Sequence, residues 1–428
     1  MERAVPIVEL QFTNLAGELK SIDVTYERYK DALKFGKGVD GSSVDMAPLE
    51  KSDLVLKPIP ETYFAVPWDK RRVARVLCDV FKPAEEVPQF GHEEEYELGS
   101  RYILKRGLEH AKKEGYDFVT SAEMEFFALK DGVAVDRGIY FAPPPYDRGA
   151  ELRRRIMTTI MSVGVQGESL HHEVATSQYE ITLGHDKALR TADNVIAFKY
   201  IAKNVASTAG ASITFMAKPF AGMNGSGMHL HMCLRRGKAN AFYGREMLSK
   251  LAKHFVAGIL RHAKALSALA APTVNSYKRL VAGFEAPVYI CWGFMNRSAM
   301  IRVPSFSSEK SARVEIRIPD PMCNPYLAQA AVLASGLDGI NERMDPGSPM
   351  ASNAYHSKED LDKLPATLKE ALGHLTNDRV IKKALGERAA GTYVETKMRE
   401  CEEYNKVNPS WDPATITRWE TERYLERF

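Results

Sequence analysis

Apolar residues fall at helical spacing in three long segments of the chain and alternate with polar ones in several shorter segments. From Glu97 to Glu114, Leu98, Tyr102, Ile103, Leu108 and Ala111 recur with the helical period, which predicts a helix. Thr191 to Ala209 predicts a second, with Asp193 near its start and Gly210 closing it, and Pro325 to Ile340 a third, entered after Asp-Pro-Met-Cys-Asn-Pro. Ile416 to Phe428 is also helical in pattern. The N-terminal stretch reads instead as short strands broken by turns: Val5 to Phe12, a turn at Asn14 to Gly17, Leu19 to Val24, and a glycine-rich run from Lys34 to Ser43. Pro83 and Pro88 punctuate the chain between Phe81 and Phe90, and the acidic run Glu93 to Glu97, read as solvated surface, follows. A domain boundary is expected there, dividing the chain into residues 1–96 and 97–428.

Between the predicted helices lie strands with charged residues on alternate positions, an expensive arrangement unless the charged face lines a site. Residues i, i+2 and i+4 of a strand share a face, so Glu123 with Glu125, His229 with His231, and Arg313 with Glu315 and Arg317 each project together. Their neighbours Met124, Phe126, Leu230, Val314 and Ile316 face a core on the other side. Adding Glu173 and Glu180 from His-His-Glu-Val-Ala-Thr-Ser-Gln-Tyr-Glu gives six candidate metal ligands: Glu123, Glu125, Glu173, Glu180, His229 and Glu315. Five carboxylates and one imidazole suit Mg²⁺ or Mn²⁺ better than a thiolate-seeking metal. A Glu-x-Glu pair taken alone is usually a solvated strand face, and His171 and His172 are read as structural. The basic residues interleaved with Glu315 suggest a nucleotide phosphate nearby.

Composition changes this picture little. The chain has 428 residues, of which 45% are hydrophobic and 26% charged, as in an ordinary globular protein with room for two domains. A formal net charge of +3 argues for neither a nucleic-acid nor a membrane partner. The five cysteines are scattered, with no Cys-x-x-Cys pair, so neither a disulfide framework nor a zinc ribbon is expected. With no signal-peptide pattern at the N-terminus and no long apolar run, a soluble cytoplasmic protein is expected.

Seven segments in order resemble type I glutamine synthetase. They are Asp-Gly-Ser-Ser-Val from 40, the Glu-Met-Glu-Phe-Phe strand, the His-His-Glu segment, Lys-Pro-Phe-Ala-Gly-Met-Asn-Gly-Ser-Gly-Met-His-Leu-His from 218, Tyr-Lys-Arg-Leu-Val-Ala-Gly-Phe-Glu-Ala-Pro from 277, Asn-Arg-Ser-Ala from 296, and Arg-Val-Glu-Ile-Arg-Ile-Pro-Asp-Pro from 313. The resemblance implies an α+β fold: a small N-terminal β-grasp domain and a larger catalytic domain with a curved antiparallel sheet and helices. It also implies a dodecamer of two hexameric rings, in which each site is completed by the N-terminal domain of the next subunit and the C-terminal segment docks on the opposite ring.

Carried onto these positions, the family's chemistry assigns one metal to Glu125, Glu173 and Glu180 and a second to Glu123, His229 and Glu315. Asn224, Gly225, Arg279 and Arg317 would bind glutamate, and Glu168, His231, Arg302, Lys310 and Arg313 would bind ATP. Arg297 would face the transferred phosphate. The glycine run Asn224-Gly225-Ser226-Gly227 is expected to let backbone approach substrate. Asp40 and Glu285 would attract ammonium and take its proton, Glu285 from a loop that closes as a flap. Cys233 stands where the family often has Ser, which leaves one nucleotide contact in question.

The activity implied is ATP-dependent ligation of ammonia to the γ-carboxylate of L-glutamate. Two other readings stand beside it: a γ-glutamyl ligase for a larger amine, such as a polyamine or ethanolamine, and a non-catalytic structural or regulatory homologue. Asp40, Asn224 and Glu285 favour ammonium, while Asn14 and Phe294-Met295 depart from the common family pattern. Only Asn353-Ala354-Tyr355 remains of the segment adenylylated in some relatives, so no adenylylation is expected at Tyr355. Glutamine feedback and control by a nitrogen-signalling partner protein are left open by the sequence.

Overall fold

The computed structural model describes residues 5–83, 93–245, 247–358 and 360–427. Pro88 and Phe90, within the proline-punctuated stretch, and Met1 to Ala4 lie outside them. Two sheets organise the chain. The first takes its strands from residues between Ile7 and Glu95, with Ile7–Thr13 between Leu19–Thr25 and Val73–Pro83, followed by Asp53–Pro58 and Lys37–Asp40. Its pairings are antiparallel except that of Ile7–Thr13 with Val73–Pro83.

Two features of this region differ from the sequence reading. Tyr26–Phe35 is a helix where only strands and turns were expected. Its signals are local: the Thr25 hydroxyl caps the Arg28 amide, Glu27 sits in the first turn, Lys34 in the last, and Gly36 closes it at φ 74°. The acidic run is not plain surface either. Glu93–Glu95 is an edge strand paired with Phe81 to Pro83, and the buried Glu93 carboxylate pairs with Lys57 at 2.9 Å.

The second sheet holds the charged strands. Its order is Gly167–His172, Gln178–Leu183, Asp117–Lys130, Met228–Arg236, Val314–Ile316, Ile301–Val303, Trp292–Phe294. Neighbours are antiparallel except the last two, which are parallel. The expected helices form at Ser100–Lys113, Ala188–Thr208 and Pro325–Asn341, all packed behind the sheet. Met124 and Phe126 are fully buried, and Phe126 sits among Tyr179, Phe198 and Phe215 at ring separations near 6 Å. The α+β class expected from the sequence is what forms.

The two sheets are joined by polar contacts as well as by a shared core. Arg101 donates to both Asp193 oxygens and to Asp79, Lys105 also pairs with Asp79, and the Asn324 amide donates to the Asn14 carbonyl at 3.1 Å. At the C-terminus, the helix Arg418–Tyr424 packs on its own chain: Glu420 is fully buried and accepts from the equally buried Lys278 at 2.6 Å. Its outer face carries the exposed ion pair of Arg418 and Glu422.

Candidate active site

Strand register brings the predicted ligands together. Across the sheet, Glu180 sits opposite Glu125, Glu123 opposite His229, and His231 opposite Glu315, with Arg302 on the far side of Glu315. Directly opposed residues of one face lie within side-chain reach, so five strands bring one cluster of charge onto a single face. Three groups of ligand atoms have all members within 4.8 Å of one another: Glu123, His229 and Glu315; Glu125, Glu180 and His229; and His171, Glu173 and Glu180. The first is the triad expected for the second metal. The expected Glu125, Glu173 and Glu180 set is divided between the other two, joined through Glu180.

The cluster's charges are unevenly compensated. Burial raises the Glu315 carboxyl, but Arg317 at 2.8 Å and His231 outweigh it and hold it at about 2, with Arg302 also paired to it. Glu123 is likewise held well below the usual range, because His231 at 2.7 Å and His229 at 2.9 Å outweigh its burial. Burial and then the Glu173 carboxylate push Glu125 up to about 8. Burial and then Glu123, Glu125 and Glu173 push Glu180 well above its ordinary value. His229, lowered to about 4 by burial and by Arg317, is neutral at pH 7 and retains a nitrogen lone pair. Carboxylates crowded until some must hold protons, beside a neutral imidazole, form a donor set that fits divalent cations.

Two cavities open on either side of this cluster and share Glu123, Ser169 and Thr182. One, of about 580 Å³, is lined by Glu125, Glu173, Glu180, His229, Asn224, Gly225, Arg279, Arg317, Glu285 and Arg297. The other, of about 560 Å³, is lined by Glu168, His231, Cys233, Lys310 and Arg313. The positions expected to bind amino acid thus sit on one side and those expected to bind nucleotide on the other. Arg302 lines neither; it backs Glu315. Arg313 donates through Nε to His231 Nδ1 at 3.3 Å, which leaves the His231 Nε2–H to donate to Glu123.

Asp40 is not among the residues lining either cavity. It sits exposed at the end of a strand in the N-terminal sheet, where hydrogen bonds from Ser43 and Ser42 hold its carboxyl at about 2. The glycine run also has a reason within the chain itself. A Cβ on Gly225 would come within 2.9 Å of Arg279 Cγ, and one on Gly227 within 2.6 Å of Arg279 Nη2 and 2.7 Å of His229 Nε2. These glycines let the loop close over Arg279 and His229.

Sequence reasoning missed part of the wall. Tyr140 and Phe141 line the larger cavity, stacked at 4.0 Å, with both ring edges set against His171. Their loop had no periodicity to mark it; its concentration of aromatic residues and prolines was the available signal. His171, read as structural, lies 2.9 Å from Glu173 inside the cavity. His172 is structural: fully buried, it bonds Asp136 and the Glu173 carbonyl.

Comparison with known proteins agrees along the whole length. Residues 97–424 match the family described as glutamine synthetase, catalytic domain, and residues 4–83 the glutamine synthetase beta-Grasp domain. A glutamine synthetase of Pyrococcus woesei is 44% identical over 438 residues, covering 98% of this chain and 97% of the relative. That of Thermotoga maritima is 42% identical over 443 residues, covering 99% and 97%. A solved structure titled "GmaS/ADP complex-Conformation 1" superimposes with a TM-score of 0.86 at 31% identity, covering 98% of this chain and 97% of its own. With its motifs on one sheet face and both family models matched, the chain belongs to the glutamine synthetase family.

Proposed function

We propose that this protein ligates ammonia to the γ-carboxylate of L-glutamate at the expense of ATP, giving L-glutamine, ADP and phosphate. The observation that carries this reading is the shared wall: the two cavities meet across Glu123, beside His229 and Glu315, so a phosphate donor in one would reach a carboxylate acceptor in the other. Full-length relatives named glutamine synthetase favour ammonia over a larger amine as acceptor.

A carboxylate is a poor electrophile, and ammonium has no lone pair with which to attack. In the first step a γ-carboxylate oxygen attacks the γ-phosphorus of ATP, the bond to the β-phosphate oxygen breaks, and γ-glutamyl phosphate and ADP form. Arg279, Arg317, Asn224 and Gly225 hold glutamate. Arg279 already donates to the Ile318 and Arg317 carbonyls, so its guanidinium is fixed before a carboxylate arrives. Glu168, His231, Lys310 and Arg313 hold the nucleotide, and Arg297 faces the phosphoryl group in transit. Two divalent cations, Mg²⁺ or Mn²⁺, one on Glu125, Glu173 and Glu180 and one on Glu123, His229 and Glu315, would neutralise substrate charge.

In the second step Glu285 takes a proton from ammonium. Ammonia then attacks the acyl carbon, and phosphate leaves with the bonding pair. Asp40, anionic at neutral pH, attracts the ammonium. Because it stands apart from the cavities of its own chain, this role requires the N-terminal sheet of a neighbouring subunit, as in a dodecamer of two hexameric rings. Residues 1–96 and 97–428 act on this reading as the two domains, in the cytoplasm, with control by a nitrogen-signalling protein left open.

The test is phosphate release from ATP with L-glutamate and Mg²⁺ or Mn²⁺, comparing ammonium with primary amines and identifying products by mass. Glutamine formed in preference with ammonium is expected. Turnover only with another amine, or with none, overturns the assignment.

A further inference from the structure

The loop that carries Glu285 is held in an unfavourable backbone conformation by four side chains from elsewhere in the chain. Glu285 has φ 57°, a left-handed value uncommon for a residue with a side chain, and Gly283 before it has φ 90°. Such a conformation persists only where the surroundings over-determine it. Here the Phe284 ring lies 3.6 Å beneath the Lys218 ammonium, the Asn224 amide reaches the Glu285 carboxylate at 3.5 Å, and Arg317 Nη2 donates to the Glu285 carbonyl at 3.2 Å. The fourth hold is the Tyr355 hydroxyl, which donates to the Ala286 carbonyl at 2.8 Å.

Asn224 and Arg317 line the substrate cavity; Lys218 and Tyr355 do not, and Tyr355 holds the loop by its backbone, at the Ala286 carbonyl. Its segment is itself tied down. Asn353 caps the Tyr355 amide, the Ala354 amide donates to Ser298 Oγ at 2.8 Å, and Asn296 binds the Met350 and Ser352 carbonyls through its amide nitrogen. Ser298 in turn donates to Asn296 Oδ1. One short segment therefore joins the loop of Glu285 to the turn that carries Arg297, and both side chains face the same cavity.

We propose that Tyr355 is the latch of the Glu285 loop, a positioning residue whose hydroxyl keeps the Glu285 carboxylate over the acyl phosphate and in register with Arg297. The proposal rests on the reading of Glu285 as the group that takes the ammonium proton. With the latch in place the loop covers the acyl phosphate and ammonia is the nucleophile. With it removed, the left-handed loop relaxes, water reaches the acyl phosphate, and glutamate is regenerated with loss of one ATP per failed turn.

The experiment compares the wild-type protein with Tyr355→Phe, which keeps the ring and removes one hydroxyl, measuring phosphate released and glutamine formed in the same reaction. The wild type is expected to release one phosphate per glutamine. Tyr355→Phe is expected to lower glutamine formation about tenfold and to raise the phosphate-to-glutamine ratio, with KM for ammonium increased and KM for ATP unchanged. A purely structural role would lower both products together and leave the ratio at one. A ratio and an ammonium KM equal to wild type would overturn the latch. If the wild type itself made no glutamine, the reading of the active site would fail instead. Should Tyr355→Phe not fold, Asn353→Ala, which loosens the tyrosine's segment without touching the loop, carries the same expectation with a smaller rise.

Discussion

The two halves of the carboxylate cluster are made of the same residue type and meet on one strand, which carries both Glu123 and Glu125, yet they hold charge in opposite ways. Glu123 and Glu315 are surrounded by His229, His231, Arg302 and Arg317, and stay ionised although buried. Glu125 and Glu180 have one another and Glu173 as near neighbours; Glu125 is pushed up to about 8 and Glu180 well above its ordinary value. The protein's own basic side chains compensate one half, whereas the other would be completed by a cation that displaces its protons. The Glu123–Glu315 half is thus preorganised by the fold, and the Glu125–Glu180 half would be assembled by binding.

Removing one carboxyl from each half gives the largest expected contrast. Glu315→Ala leaves Arg302 and Arg317 without their shared partner in a buried setting, which costs about 3–5 kcal/mol of stability, and phosphoryl transfer should fall by about a thousandfold. Glu180→Gln replaces a carboxyl that burial and its acidic neighbours disfavour as an anion by a neutral group of the same shape. Its stability without divalent cations should change by less than about 0.5 kcal/mol, while cation affinity falls about 100-fold. Thermal melts in chelator, paired with titration calorimetry, separate the two effects. Equal destabilisation by both substitutions would erase the contrast.

Changing pH probes the same difference without mutation. A carboxyl whose folded pKa is raised, such as Glu125 from 4.5 to about 8, lends stability that is fully present below pH 4.5 and lost as pH rises through 8. Glu315, lowered from 4.5 to about 2, does the reverse: its contribution is present above pH 4.5 and lost as pH falls through 2. In chelator, the melting temperature should therefore decline between pH 5 and 8. Saturating Mg²⁺ or Mn²⁺ should flatten that decline, because binding displaces the same protons. A melting temperature in chelator that rises steadily to pH 8 would show that Glu125 is compensated by a group not yet identified.

The parts of this architecture that were legible in the sequence are those set by period and by local chemistry. Alternation placed Glu123 and Glu125 on one strand face and Met124 and Phe126 on the other, and this is how they sit. The helix at Ala188–Thr208 was legible because its apolar positions repeat over many turns. Register was not legible. That Glu180 faces Glu125, and His171 faces Glu180, depends on how distant strands align, which no local pattern encodes. Tyr26–Phe35 escaped because it is short, lies between strand-like segments and is followed by glycines, although its caps were in plain view. The distance of Asp40 from the cavities of its own chain is a property of how the two sheets dock, and no spacing between residues foretells that.

His171 gives the smallest and most discriminating test, because it stands at the uncompensated edge of the cluster. Its Nε2 lies 2.9 Å from Glu173 Oε1 and its Nδ1 3.9 Å from Glu180 Oε1, with Tyr140 and Phe141 packed on its ring. A residue so placed either orients Glu173 or supplies a nitrogen donor, and in both cases it acts on cation binding rather than on the core. His171→Gln should weaken divalent binding about tenfold and leave the melting temperature in chelator nearly unchanged. His172→Gln is the matched control one residue away. Its two ring nitrogens bond Asp136 and the Glu173 carbonyl in a fully buried setting, so its replacement should cost about 1–3 kcal/mol of stability at any cation concentration. If His171→Gln instead lowered the melting temperature as much as His172→Gln, its contact with Glu173 would be part of the fold. The Glu125–Glu180 half would then be more preorganised than its raised carboxyls indicate.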